Sequence, residues 1–199
     1  LEILQADILK IKNQILAKRL GSRDYKLVAN IPYAITKPII QKFLNYVPKP
    51  NEMVVLVQKE VGEKIVAQAG KMSILAITVQ FFGWPEIIRI VPKESFYPIP
   101  KVDSVILKIK LYKTILPPEI SKILTPKQQK NFEAKKFWQL VKIGFSSPRK
   151  QLQNNLANGL NMANQEVKNR LKNAGLTERC RAQDLSLSEW AGLYQQFIA

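Results

Sequence analysis

The 199 residues contain no histidine and one cysteine, Cys180. Without histidine, the Ser-His and Cys-His nucleophilic pairs, the commonest general base and the imidazole metal ligands are all excluded. A single thiol forms no internal disulfide and completes no Cys/His zinc site, so no metal is expected, and a reducing, cytoplasmic setting is the expectation. Long apolar runs are missing too. The longest, Ile74 to Phe82, is broken by Thr78 and Gln80 and falls far short of the roughly 20 residues that a membrane-spanning helix needs. No signal-peptide pattern opens the chain, and no membrane partner is expected. Glycine is sparse at 8 residues. The only early one, Gly21 in Arg19-Leu20-Gly21-Ser22-Arg23, follows no recognisable strand and reads as a surface loop rather than a phosphate-binding turn.

Acidic charge is in deficit. Lys and Arg number 31 against 15 Asp and Glu, giving a formal charge of +16 and a pI near 9.9, a balance suited to a polyanionic partner, nucleic acid first. The excess is spread along the chain: residues 1–113 hold 18 basic and 9 acidic groups, residues 114–199 hold 13 and 6. It belongs to no separate basic tail. A content of 46% hydrophobic and 23% charged residues is ordinary for a folded globular chain.

Two domains are expected, 1–113 and 114–199. In the first, Leu1 to Leu4, Lys26 to Asn30, Met53 to Gln58, Glu86 to Val91 and Ser104 to Leu111 read as strands, several nearly all apolar as in a sheet covered on both faces. Helices are expected from Pro38, over Lys59 to Ala69 with Gly70 as terminator, and over Ser73 to Phe82. The last two strands share only a brief connection and are expected to form an antiparallel pair on an otherwise parallel sheet. After a linker at Leu116-Pro117-Pro118 the pattern turns helical. Thr125-Pro126 starts one helix, and Phe137, Leu140, Val141 and Phe145 mark another, ending at Ser146-Ser147-Pro148. Leu152 with Leu156 and Val167 with Leu171 mark two more. Ser186-x-x-Glu189 is a capping box for the last, whose Trp190, Leu193, Tyr194 and Phe197 read as core.

Asn30-Ile31-Pro32-Tyr33 stands at the mouth of an expected strand, where Pro32 cannot donate a ladder hydrogen bond. An amide, a main-chain carbonyl and an aromatic ring at this spacing form a grip for an exocyclic amino group, pointing to methyl transfer onto nitrogen. In an open α/β sheet the crevice beyond the strands' carboxyl ends is where ligands bind. A plain Asx turn is the simpler use of the same residues.

With this tetrapeptide go Gln5-Ala6-Asp7, Gln58-Lys59-Glu60-Val61, Phe96-Tyr97-Pro98-Ile99-Pro100-Lys101-Val102-Asp103-Ser104 and Arg149-Lys150-Gln151-Leu152-Gln153-Asn154-Asn155-Leu156. In this order the segments resemble the family of ribosomal RNA adenine dimethyltransferases that modify small-subunit rRNA with S-adenosylmethionine. The resemblance implies an α/β fold, the C-terminal portion of a Rossmann-like methyltransferase sheet followed by a small all-α domain that contacts RNA or the ribosome. The strand, Gly-rich turn and helix that open such a sheet are absent, so the chain is read as a fragment beginning partway through the domain.

The resemblance also distributes roles. Asn30 and the Ile31 carbonyl accept from the adenine amino group, Pro32 fixes the backbone, and Tyr33 with Phe96 sandwiches the extruded base. Asp7 contacts the cofactor adenine with Ile8 against its ring, and Asn30 is shared between cofactor and target; helix N-capping is the simpler use of Asp7. Lys59, Lys101, Ser104, Arg149 and Lys150 meet RNA, with Lys168, Arg170 and Lys172 as a less specific basic face, and Asp103 orients its loop. Glu60 reads as a first-turn helix residue rather than a catalytic acid. The implied activity is N6,N6-dimethylation of two adjacent adenosines in small-subunit rRNA during small-subunit maturation, by a monomer acting on the immature subunit. A large-subunit rRNA adenine methylase of the macrolide-resistance type shares the Asn-Ile-Pro-Tyr element. A non-catalytic RNA-binding assembly factor is the other alternative.

Overall fold

The structure is a computed structural model, and it describes residues 2–21 and 24–197. These divide into two compact units, Leu1–Val66 with Phe82–Lys113, and Ala67–Phe81 with Thr114–Ala199. The sequence places residues 67–81 in the first domain; the structure packs them with the second. The cause is local. The amides of Gly70 and Met72 both donate to the carbonyl of Gln183 at 3.0 Å, and Phe81 stacks among Phe132, Phe137 and Trp138 at ring separations of 5.0–6.4 Å.

The first unit contains α1 (Asn13–Leu20), β1 (Lys26–Asn30), α2 (Thr36–Asn45), β2 (Glu52–Gln58), α3 (Lys59–Ile65), β3 (Gly83–Val91) and β4 (Ser104–Leu111). The strands form one sheet in the order β1-β2-β4-β3. β1 and β2 are parallel, from Lys26 opposite Glu52 to Asn30 opposite Leu56. β4 runs antiparallel to both β2 and β3, with Ser104 opposite Gln58 on one side and Val91 on the other. The expected antiparallel pair is present, but β4 lies between β2 and β3, so β1, β2 and β3 share one direction. Met53, Val55 and Val57 on β2 and Val105, Leu107 and Ile109 on β4 are wholly buried and alternate with partly exposed neighbours. That period of two places the core on one face, which corrects the expectation of strands covered on both; Val28 of β1 is 76% exposed.

Several boundaries differ from those read in the sequence. Glu2–Leu4 form no strand, Ile3 being exposed, because among the described residues no partner strand completes a ladder beside them; Leu1 lies outside the described residues. Gly21 is not a free loop residue. It takes φ 65° and its amide donates to the Lys18 carbonyl, so it is the left-handed cap of α1, a helix the sequence reading missed; Ser22 and Arg23 lie outside the described residues. α2 begins at Thr36, which puts Pro38 third, where a missing N–H still costs no intrahelical bond. α3 stops at Ile65, four residues before the expected end, and Gly70 takes its φ of 96° in the turn beyond.

The second unit holds α4 (Ile74–Phe82, less its last residue), α5 (Pro118–Ile123), α6 (Pro126–Lys130), α7 (Ala134–Gly144), α8 (Leu152–Leu160), α9 (Asn164–Asn173) and α10 (Leu187–Phe197). α5 occupies what reads as the tail of a proline linker; Pro118 serves as its first residue and Ile120 is buried. Thr125 and Gln128 form a reciprocal capping box on α6. Ser186 and Glu189 do the same for α10, with Ser186 N–H donating to Glu189 Oε2 at 2.7 Å. Phe137, Leu140, Val141, Leu152, Leu156, Val167, Leu171, Trp190 and Leu193 are fully buried and Tyr194 nearly so, so these residues of α10 belong to a core; Phe197, expected there too, is half-buried with the Arg170 guanidinium 5.2 Å from its ring. Among the described residues no helix is long and apolar enough to cross a membrane.

Gly144 lets α7 approach α10 closely, since a Cβ there would lie 2.3 Å from Trp190 Cη2 and 2.9 Å from Leu152 Cδ1. Gly144→Ala is therefore expected to destabilise by about 1–3 kcal/mol through overpacking. Gly192→Ala, with nothing within 4 Å, should instead stabilise α10 by roughly 0.5–1 kcal/mol. Urea midpoints of the two variants would separate these effects.

Candidate active site

Because β1, β2 and β3 point the same way and β4 returns between them, their carboxyl ends and the start of β4 share one edge of the sheet. Asn30 ends β1 there. Its side chain is exposed and has no hydrogen-bond partner among the described residues, leaving amide oxygen and nitrogen both available. Ile31 turns inward, 2% exposed, and its amide reaches the Leu56 carbonyl at 3.5 Å, one step past the ladder before Pro32 stops it. The chain then enters a 3₁₀ turn, Tyr33–Ile35, closed by the Ile35 amide on the Pro32 carbonyl at 3.0 Å. The half-buried Tyr33 reaches across the sheet edge, where its hydroxyl lies 2.8 Å from Ser104 Oγ.

Ser104 is fully buried. This corrects its expected role at a phosphate, since a side chain with no accessible surface cannot meet RNA. Asp103, just before it, fastens two neighbours. Its carboxylate accepts from the Lys93 amide at 3.1 Å and its carbonyl from the Lys59 amide at 3.0 Å. One residue thus ties the first residue of α3 and the turn preceding Phe96 to the start of β4. Phe96 itself is half-buried, after a 3₁₀ turn over Lys93–Ser95, and Tyr97 is fully exposed beside it.

Lys59 and Lys101 come together with Lys93 around a shallow pocket of about 390 Å³, with Glu60, Glu63, Val102 and Asp103 completing its wall. Lys93 was missed in the sequence because it lies just outside the segment 96–104, three residues before Phe96; the Asp103 contact brings it in. Glu60 is a first-turn residue of α3. The Lys64 ammonium, hydrogen-bonded at 2.6 Å, holds its carboxyl below the usual range, the opposite of what a general acid needs.

Asp7 caps no helix. Its Oδ1 accepts from the Leu9 amide at 2.9 Å in an Asx turn, and the next helix, α1, starts six residues on. The side chain stays half-exposed, with Lys10 3.8 Å from the other oxygen, which leaves that oxygen able to accept from an exocyclic amine; Ile8 beside it is half-buried. Lys42 of α2 anchors this segment by donating to the carbonyls of Leu9 and Ile11.

A family model described as Ribosomal RNA adenine dimethylase matches residues 1–198. The chain belongs to the ribosomal RNA adenine dimethylase family. Among similar curated proteins, a Ribosomal RNA small subunit methyltransferase A from Dehalococcoides mccartyi is 37% identical over 98% of this chain and 62% of its own length. A protein of the same name from Fusobacterium nucleatum is 34% identical, over 98% of this chain and 67% of its own. The chain spans about 62% of the length of the first of these relatives. Among solved structures, a dimethyladenosine transferase from Plasmodium falciparum superposes with a TM-score of 0.63 at 26% identity, covering 87% of this chain and 66% of that one. A 23S rRNA methyltransferase, ErmE, gives a TM-score of 0.71 at 21% identity, covering all of this chain and 72% of that one, a likeness of fold. The Rossmann-like methyltransferase architecture read from the sequence is therefore that of the family.

In the second unit of this dimethylase-family chain, Arg149 and Lys150 are exposed on the turn between α7 and α8. Asn155, buried and overlooked in the sequence reading, holds that turn. Its amide nitrogen donates to the Gly144 carbonyl at 2.6 Å and the Ser147 carbonyl at 3.1 Å, and the Lys150 amide closes the turn on Ser147 at 3.0 Å. The late Arg-Lys-x-Leu-x-Asn pattern ends at the half-buried Asn154; the internal brace is the next residue, Asn155, with the charges of Arg149 and Lys150 outside. Lys168, Arg170 and Lys172 fall on α9; the first two pair with Glu178 at 3.4 Å and Glu166 at 2.8 Å, which lowers their value as free cations. Cys180 is buried, and burial, then Asp184 and Glu189, push its thiol up to about 11. Only the thiolate reacts, so labelling of the native protein by a thiol reagent should be very slow at pH 8. It should rise as pH approaches 11 and become immediate on unfolding; rapid labelling of the folded protein at pH 8 would contradict the buried placement.

Proposed function

We propose that this chain carries the target-base grip of an S-adenosylmethionine-dependent enzyme that dimethylates N6 of two adjacent adenosines in small-subunit rRNA. The single observation that carries the reading is the uncommitted Asn30 amide at the sheet edge, next to Ile31 and the tethered ring of Tyr33. Family membership and the names of the relatives support it. S-adenosylmethionine would supply an electrophilic methyl group on its sulfonium. The exposed carboxylate oxygen of Asp7, with Ile8 beside it, fits an adenine with its exocyclic amine, and Asn30 would be shared between cofactor and target.

The lone pair of adenine N6 is delocalised into the ring, so a protein must draw the nitrogen toward tetrahedral geometry before it attacks. Two acceptors do this, the Asn30 side-chain oxygen and the Ile31 carbonyl, held by the ladder bond to Leu56 and by the fixed φ of Pro32. Tyr33 and Phe96 stack on the faces of the extruded base and offset the few kcal/mol lost on unstacking it. Positioning supplies the rate. The methylated nitrogen is acidic enough to lose its proton to water, which suits a chain with no histidine. Lys59, Lys93 and Lys101 would meet phosphates beside the base, and Arg149 with Lys150 those farther along the RNA. The immature small subunit as substrate, a monomeric state and a cytoplasmic location belong to the same proposal.

Transfer of labelled methyl from S-adenosylmethionine to unmethylated small and large ribosomal subunits tests the reading, on the chain and on a version extended upstream to the length of its relatives. Incorporation into the small subunit alone is expected. Asn30→Ala and Tyr33→Ala should each slow it by on the order of a hundredfold while RNA affinity is retained; normal methylation by either variant would refute the grip. Joint replacement of Arg149 and Lys150 by alanine should lower the slope of log affinity against log salt by about 1–2, and an unchanged titration would remove that turn from the RNA interface.

A further inference from the structure

We propose that Ser104 is a positioning residue that aims the ring of Tyr33 at the target base; this rests on the reading of Asn30 to Tyr33 as the grip. Serine is a poor strand former with little apolar area to bury, yet Ser104 opens β4 at a fully buried position. Buried serine hydroxyls usually satisfy themselves on nearby main chain. This one instead lies 2.8 Å from the hydroxyl of Tyr33, 71 residues away in sequence, and either oxygen can donate. A tyrosine that merely covered the edge of a core would need no such contact, and phenylalanine would serve.

The bond acts through geometry. The main-chain end of Tyr33 is fixed by the 3₁₀ turn, whose Thr36 amide donates back to the Tyr33 carbonyl. Its far end is fixed by Ser104. The phenolic oxygen lies on the long axis of the ring, so the contact sets the direction of that axis without using either face of the ring. Ser104 is in register with Gln58 on β2 and Val91 on β3 and follows the Asp103 clamp. The ring therefore takes its placement from the centre of the sheet rather than from the loop that carries it.

The test uses Ser104→Ala, Tyr33→Phe and the double variant in methyl transfer to unmethylated small subunits. Each single change should lower kcat about tenfold with KM for RNA held within about twofold, since misplacement costs rate rather than affinity. The double variant should be no slower than either single one, because both remove the same bond, and Ser104→Thr should keep most of the rate. Losses that multiply in the double variant, or that fall on KM, would overturn the proposal. Tyr33→Phe leaves β4 intact and keeps the kinetic test decisive if Ser104→Ala does not fold. A second readout needs no turnover: tyrosine isotope-labelled at Cζ, with the Tyr33 resonance assigned by its loss in Tyr33→Phe. Ser104→Thr should leave that resonance near its place, while Ser104→Ala should move and sharpen it without altering the other tyrosines. A Tyr33 resonance indifferent to Ser104→Ala would sink the positioning role even in an active enzyme, whereas a moved resonance in a protein that transfers no methyl even when extended to the length of its relatives would leave the positioning of the ring by Ser104 standing and defeat the enzyme reading.

Discussion

The pairing of β4 on both sides, antiparallel to β2 and to β3, is the constraint on which the candidate site depends. Ser104 opposite Gln58 and Val91 fixes where three strand ends and one strand start meet. From that point the Asp103 carbonyl holds the first residue of α3, its carboxylate holds the turn before Phe96, and the Ser104 hydroxyl meets Tyr33. Each of these hydrogen bonds contributes only about 0.5–1.5 kcal/mol net. Their effect is positional, because all three originate at, or one residue before, the start of a strand whose Val105, Leu107 and Ile109 are completely buried and which cannot shift without dismantling the core.

A site assembled in this way suits chemistry that needs placement more than proton transfer. The side chains brought to the edge are an amide, two aromatic rings and lysines, and the one glutamate with a resolved shift is held ionised by its neighbour Lys64. Lys59, Lys93 and Lys101 share the pocket beside α3 with Glu60, Glu63 and Asp103. The second unit presents its own exposed pair, Arg149 and Lys150, on a turn whose shape is set by the buried amide of Asn155. In both units a short polar side chain inside the fold determines where the charged or aromatic ones outside it stand.

Much of this was legible in the residues. Period-two apolar patterns located β2 and β4, Thr125 with Gln128 and Ser186 with Glu189 announced two helix starts, and Pro32 announced the end of the β1 ladder. The failures share a cause. α1 carries too weak a stripe to be seen without its Gly21 cap, and Glu2–Leu4 have strand-like composition without a partner. Residues 67–81 look like part of an alternating α/β chain, but Phe81 finds its aromatic neighbours in Phe132, Phe137 and Trp138. Ser104 read as a polar group near phosphate because a hydroxyl's burial is invisible in a string of letters.

The sequence by itself determined which chemical groups are available and the local geometry that each imposes: no imidazole, an Asn-Ile-Pro-Tyr strand exit, capping boxes and an excess of positive charge. These follow from side-chain chemistry and from backbone preferences that act over a few residues. Only the tertiary structure decided which of those groups meet. The contact between Tyr33 and Ser104, the double grip of Asp103 and the departure of residues 67–81 to the helical unit all join positions far apart in the chain. Their partners were chosen by packing of the core, whose free energy depends on the whole sheet or bundle and not on any single segment.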